Sequence, residues 1–178
     1  PRDIPNLLTI LRFFFAPVIV YFLLQRQFGA ALILFAVAGF TDGLDGFLAK
    51  HYNWQSRLGS LLDPLADKVL LLTAMVCLAW LELIPWWLFA AVILRDLVIV
   101  AGALTYHFRV EPLEAAPTFI SKLNTLVQIL LVILVVADAG PLDLPGPLVQ
   151  VLVWATLATT VLSGVDYVVV WNRLARSK

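Results

Sequence analysis

The chain has 178 residues, 62% of them hydrophobic and only 13% charged, with 12 basic residues balancing 12 acidic ones. A soluble domain is nearer half apolar and a quarter charged, so this composition belongs in lipid. Zero net charge leaves no broad basic surface for nucleic acid, and the single cysteine, Cys77, excludes an internal disulfide and reads as packing within an apolar run.

Six apolar stretches each approach the roughly 20 residues that a helical span requires. The expected fold is therefore an all-α integral membrane protein with six transmembrane helices. Because the chain opens on Pro1, its native start is expected to lie upstream, with a removed leader left open. Ile4-Pro5-Asn6 reads as a lead-in turn with Asn6 as N-cap, and the first span covers about residues 7–24. Arg12 lies in its first turns and either snorkels to the interface or faces the acidic cluster that follows.

The second span, about residues 29–50, ends in Asp42-Gly43-Leu44-Asp45-Gly46-Phe47-Leu48-Ala49-Lys50. A short polar link, residues 51–57, leads to the third span, about residues 59–81, which opens Gly59-Ser60-Leu61-Leu62-Asp63-Pro64-Leu65-Ala66-Asp67-Lys68. Residues three and four apart share a helix face. Asp42 and Asp45 thus point one way from one helix, and Asp63 and Asp67 one way from the next. Carboxylates grouped in this manner repel unless a divalent cation neutralises them. An oxygen-only donor set selects a hard metal such as Mg2+ or Mn2+. Gly46 and Gly59 remove side chains where a ligand or a neighbouring helix comes close. Lys50, His51, Arg57 and Lys68 add positive charge suited to a phosphate-bearing ligand. The plainer alternative, carboxylates solvated in a loop and capping helix ends, accounts for any one aspartate but not for two matched spacings flanked by glycines. Pro64 is expected in the first turn of the third helix, where a missing amide is tolerated.

The fourth span, about residues 85–108, begins with Trp86 and Trp87 as interfacial anchors. Near its middle Arg95-Asp96 is costly in a bilayer. The two form either a structural ion pair between helices or, for Arg95, a contact to an anionic substrate. A polar segment, residues 109–121, enters the fifth span at about residues 123–137. There Lys122 and Asn124 offer phosphate and hydroxyl donors at the mouth of the helix, unless Lys122 is an ordinary basic anchor. A proline- and glycine-rich turn, residues 140–147, precedes the sixth span, about residues 148–171, which contains Asp166 and ends in the basic tail Arg173, Arg176 and Lys178. No linker or repeat interrupts the chain, so residues 1–178 are expected to form a single transmembrane catalytic domain with its signature at 42–67. With the N-terminus inside, Arg26 is the one basic residue left outside. That places all four motif aspartates on the cytoplasmic side, or the matrix side in an organelle.

The pattern D-x2-D-G-x2-A-(R)-x8-G-x3-D-x3-D resembles the signature of the CDP-alcohol phosphotransferases, matched here at Asp42, Asp45, Gly46, Ala49, Gly59, Asp63 and Asp67. The chain departs from it at Lys50, where the family usually carries arginine; lysine keeps the charge but loses the planar fork. The opening Ile4-Pro5-Asn6-Leu7-Leu8-Thr9-Ile10-Leu11-Arg12, the run from Leu62 to Lys68, and Arg95-Asp96 resemble the branch that makes anionic phospholipids. Within it, the stretch from Pro117 to Gln128 is similar to the eukaryotic-type, CMP-forming cardiolipin synthases of mitochondria and some bacteria.

That resemblance implies a CDP-alcohol phosphotransferase fold and a reaction. CDP-diacylglycerol would be bound by Asp42, Asp45, Gly46, Ala49, Lys50 and Gly59. A two-metal site of Mg2+ or Mn2+ would be held by Asp42, Asp45, Asp63 and Asp67, with Asp67 as catalytic base or additional ligand. A hydroxyl of phosphatidylglycerol would attack and CMP would leave, the acceptor phosphate being bound by Arg95, Lys122, Arg57 and Asn124. The nearest rival is the same chemistry with glycerol 3-phosphate, giving phosphatidylglycerophosphate. Implied partners are the two lipid substrates, the membrane and a second copy in a homodimer. The implied location is the bacterial cytoplasmic membrane, or the mitochondrial inner membrane in a eukaryote. A cation channel also fits six spans with intramembrane charge, but it wants polar groups through the membrane depth, whereas these carboxylates gather at one face.

Overall fold

The computed structural model describes residues 4–52, 57–109 and 118–176, and within them the side chains of 14–41, 66–102 and 118–170. The described residues form six α-helices and no strand: α1 (Ile4–Leu24), α2 (Phe28–Tyr52), α3 (Arg57–Trp80), α4 (Trp86–Arg109), α5 (Phe119–Ala139) and α6 (Gly146–Arg176). Each covers one of the six apolar stretches, and the differences lie at the ends. Asn6 sits inside α1 rather than capping it, because Pro5 in a first turn needs no amide partner. α3 starts at Arg57, ahead of Gly59, so Pro64 lies in the body of the helix and not in its first turn. α5 starts four residues before Leu123 because Thr118 caps it. Thr118 Oγ1 accepts the Ser121 N–H at 3.2 Å, and its carbonyl accepts the Lys122 N–H at 3.1 Å. Residues 53–56 and 110–117, the centres of the two polar links, lie outside the described residues.

The helices gather into two compact units: Pro1–Leu83 with Val132–Leu144, and Ile84–Leu131 with Pro145–Lys178. α5 contributes its first half to the second unit and its last turns to the first.

In the first unit α1 packs against both α2 and α3. The interior is apolar, with Ile19 and Leu23 from α1, Ala31 and Ala38 from α2, and Leu71, Ala74, Met75 and Leu78 from α3. These recur at helical spacing, and the two alanines let the α2 backbone come close. Cys77 is buried, as packing requires. α1 and α3 end in the same way. Gln27 N–H donates to the Phe22 carbonyl at 2.8 Å and Leu83 N–H to the Leu78 carbonyl at 2.9 Å. Each closure needs a left-handed residue, supplied by Arg26 (φ 57°) and Glu82 (φ 60°) where glycine is usual. Beyond α5, a Cβ on Gly140 would lie 2.7 Å from Phe28 Cβ, so that approach requires glycine.

The second unit is built the other way round. Its buried positions step by three and four along α5 (Ser121, Asn124, Gln128, Leu131) and along α6 (Val153, Thr156, Thr160, Ser163, Tyr167). Steps of three and four make one packing seam, and most of this one is polar. On the outside, Phe119, Leu126 and Ile129 of α5 and Val151, Trp154, Leu162 and Val165 of α6 are exposed. Water would select the opposite arrangement. Apolar side chains around a polar seam suit lipid, where helices associate through small and hydrogen-bonding residues. Among the described residues, Phe119–Ala139 and Gly146–Val170 are each long and apolar enough to cross a membrane.

Candidate functional site

The signature residues fall on two helices that share α1 as their support. Asp42, Asp45, Gly46, Ala49 and Lys50 occupy the closing turns of α2. Arg57, Gly59, Asp63, Asp67 and Lys68 occupy the opening turns of α3. Both backbones are helical there, so each aspartate pair shares a face by geometry alone. The side chains of residues 42–65 lie outside the described residues, and with them most of the expected metal and CDP-diacylglycerol contacts. Asp67 is exposed, next to the buried Ala66 that anchors the helix. A set of carboxylate oxygens from two helices of one unit is the donor chemistry that a hard divalent cation takes.

A second polar site surrounds Arg95, which is 7% exposed in α4. Its Nε–H donates to Ser163 Oγ at 3.1 Å, and Nη2 donates to both Ser163 Oγ and Ser121 Oγ. Nη1 donates to Asp96 Oδ1 at 2.9 Å, and the Tyr167 ring centre lies 5.8 Å from Cζ. A buried guanidinium is tolerable only when paired and hydrogen-bonded, and three helices supply its partners. Arg95 pairs with its neighbour Asp96 within α4, and its ties to other helices run through the two serines and the Tyr167 ring.

Those serines behave unlike the neighbouring hydroxyls. Thr41, Thr73, Thr125 and Thr159 each donate to the carbonyl four residues earlier in their own helix. Ser121 and Ser163 instead accept from Arg95, which leaves both hydroxyl protons to donate outward. A planar cation flanked by two polarised O–H donors is a fitting receptor for an oxyanion such as a phosphodiester.

Among the other residues expected to bind the acceptor phosphate, Asn124 shares this seam. It is fully buried one turn into α5, not at the helix mouth, and its Oδ1 accepts from Thr159 at 3.0 Å and Thr160 at 2.9 Å. Lys122 stands on the exposed side of the first turn of α5. The Arg57 side chain lies outside the described residues. The structure therefore brings Arg95 and Asn124 into one seam and leaves Lys122 outside it. Sequence reasoning missed Ser121, Ser163 and Tyr167. The signal that would have found the α6 pair is the three-and-four spacing of Thr156, Thr160, Ser163 and Tyr167 in an otherwise apolar helix.

A family model described as CDP-alcohol phosphatidyltransferase matches residues 2–162, spanning the signature and Arg95 and stopping one residue short of Ser163. The chain is similar to the curated cardiolipin synthase (CMP-forming) of Rattus norvegicus, 43% identical over 148 residues, covering 74% of this chain and 49% of that protein. The protein of the same description in Homo sapiens is 41% identical over 148 residues, with 74% and 49% covered. A probable phosphatidylglycerophosphate synthase of Mycobacterium tuberculosis is 35% identical over 177 residues, covering 93% of this chain and 80% of that protein. The chain spans about half the length of the two mammalian relatives. With its paired aspartates on consecutive helices and most of its length within the family match, the chain belongs to the CDP-alcohol phosphatidyltransferase family.

Proposed function

We propose that the chain is a membrane-embedded transferase that moves the phosphatidyl group of CDP-diacylglycerol onto a hydroxyl of phosphatidylglycerol, forming cardiolipin and releasing CMP. The observation that carries this proposal is 43% identity, over 148 residues, to a CMP-forming cardiolipin synthase.

Asp42, Asp45, Asp63 and Asp67 would hold a pair of Mg2+ or Mn2+ ions, which when bound supply charge neutralisation at the pyrophosphate and the transferring phosphoryl group. Gly46, Ala49 and Gly59 leave room for the nucleotide against the helix backbones, and Lys50 adds a point charge. Asp67 takes the proton of the attacking hydroxyl. The new O–P bond forms at the lipid-side phosphorus, the bridging P–O bond breaks, and CMP departs. The Arg95 fork, with the Ser121 and Ser163 hydroxyls beside it, suits the phosphodiester of the acceptor; Lys122, outside the seam, and Arg57 add positive charge for the same headgroup. All six helices span the bilayer and residues 1–178 act as one catalytic domain, paired in a homodimer. The asymmetry of basic residues supports an active site on the cytoplasmic side of a bacterial membrane, or on the matrix side of the mitochondrial inner membrane.

A second acceptor, glycerol 3-phosphate, is favoured by the Mycobacterium tuberculosis relative, which aligns with 93% of the chain. One assay separates the two. Purified protein receives CDP-diacylglycerol, Mg2+ or Mn2+, and either phosphatidylglycerol or glycerol 3-phosphate, and the lipids are read by mass spectrometry. Cardiolipin from phosphatidylglycerol alone is the expected result. Product from glycerol 3-phosphate alone transfers the proposal to that acceptor, and CMP release with neither overturns both.

A further inference from the structure

The polar seam between α5 and α6 continues beyond the Arg95 cluster. Arg95 Nη2 bonds Ser121 and Ser163 together, and Asn124 bonds Thr160, so three steps forward on α5 correspond to three steps back on α6. The two helices are antiparallel, and the next rung in this register is Gln128 opposite Thr156. One rung further on, Leu131 and Val153 close the seam with apolar groups.

Gln128, Asn124 and Thr156 are fully buried. Yet Gln128 Nε2 and Oε1, Thr156 Oγ1 and Asn124 Nδ2 find no hydrogen-bond partner among the described residues. Buried amides and hydroxyls are almost always satisfied, because stripping them of water without replacement is strongly unfavourable. Four such atoms within two adjacent rungs point to a ligand that both donates and accepts. Asn124 Nδ2 and Gln128 Nε2 are donors only, which does not suit a cation. Gln128 Oε1 is an unpartnered acceptor, and neither Gln128 nor Thr156 carries a positive charge, which disfavours an anion. A hydroxyl group meets both requirements, and a water needs only two to four such partners.

We infer that the Gln128–Thr156 rung, together with Asn124 Nδ2, is a binding site for a neutral hydroxylic ligand, either ordered water or the hydroxyl of a polyol headgroup. The water source stands independently of the proposed reaction; the polyol source rests on it, since a glycerol-bearing acceptor would supply that group.

The test uses the full chain in detergent micelles with 15N-labelled glutamine side chains. There are five glutamines, Gln25, Gln27, Gln55, Gln128 and Gln150, and the signal lost in Gln128→Met identifies Gln128. Should that variant misfold, replacing the other four leaves Gln128 as the remaining signal. Cross-relaxation from the Gln128 amide to water, unchanged by added sn-glycerol 3-phosphate or phosphatidylglycerol, assigns water as the ligand. Loss of that contact with a saturable shift on adding either polyol assigns the headgroup hydroxyl. An amide that contacts neither overturns the inference, as does a shift abolished by Thr156→Val in a dry amide, which would mean that the two side chains pair directly. None of these readouts requires turnover, so a failed assay for cardiolipin leaves them intact.

Discussion

The two units put their polar groups in opposite places. In the first, leucines and alanines fill the interior and the described catalytic candidate, Asp67, stands exposed on α3. In the second, the interior itself is polar and Arg95 is buried among partners from three helices. An exposed carboxylate fills no space in the packed interior, so its loss should abolish chemistry and spare the fold. A buried guanidinium needs every partner at once, so binding and stability should fall together there.

Asp67→Asn probes the first half of that contrast. It is expected to slow CMP release by about a thousandfold, the range of a lost general base, with helical content and thermal midpoint unchanged. Undiminished turnover would remove Asp67 from the chemistry. For the second half, Arg95→Lys keeps the charge but loses the Nε–H and the planar fork. Charged hydrogen bonds contribute about 1.5–3 kcal/mol each, so the acceptor KM should rise more than about tenfold while the thermal midpoint falls. A drop in stability alone, with acceptor KM intact, would make Arg95 a purely structural tie.

The helices, and the positions of the four aspartates along two of them, were legible in the sequence for one physical reason. Charged residues are rare in an apolar chain, so four aspartates at spacings of three and four stand out, and the apolar runs mark the helices. The start of α5 was harder, because Thr118 looks like any other residue of a polar link until its side chain is seen accepting the Ser121 amide. That error of one turn is what moved Asn124 from the seam to the helix mouth. Ser163 was passed over, despite its spacing from Thr156, Thr160 and Tyr167, because serine and threonine sit comfortably in apolar helices by bonding back to their own carbonyls. Thr159 bonds back to Ala155 as well as across to Asn124, whereas Ser163 accepts from Arg95 of another helix. The sequence left Arg95-Asp96 open between an ion pair and a substrate contact; the arginine side chain is long enough to reach its own neighbour, and it pairs with Asp96 within α4.

Two smaller effects sharpen the same contrast. Ser163→Ala should raise the acceptor KM about fivefold, in keeping with roughly 1 kcal/mol for one hydrogen bond, without changing the KM for CDP-diacylglycerol. Equal changes in both constants would indicate general loosening of the second unit. Glu82→Gly should stabilise the protein by about 0.5–1 kcal/mol, because glycine adopts the left-handed φ of that turn without the Cβ clash. Activity should not change, and a lowered thermal midpoint would show that the Glu82 side chain contributes more than its backbone strain costs.

The matched rungs of α5 and α6 bear on how the protein is assembled. Two greasy helices laid side by side in a bilayer can slide along each other with little change in energy. These two cannot, because a shift of one turn would set Ser121 against Tyr167 and Asn124 against Ser163, and leave polar groups facing hydrocarbon. Lipid supplies no substitute hydrogen bonds during insertion, so the pair has one favourable seating from the moment both segments enter the membrane. The polar seam thus proofreads the docking of its own hairpin, and Arg95 would find its serines already in line.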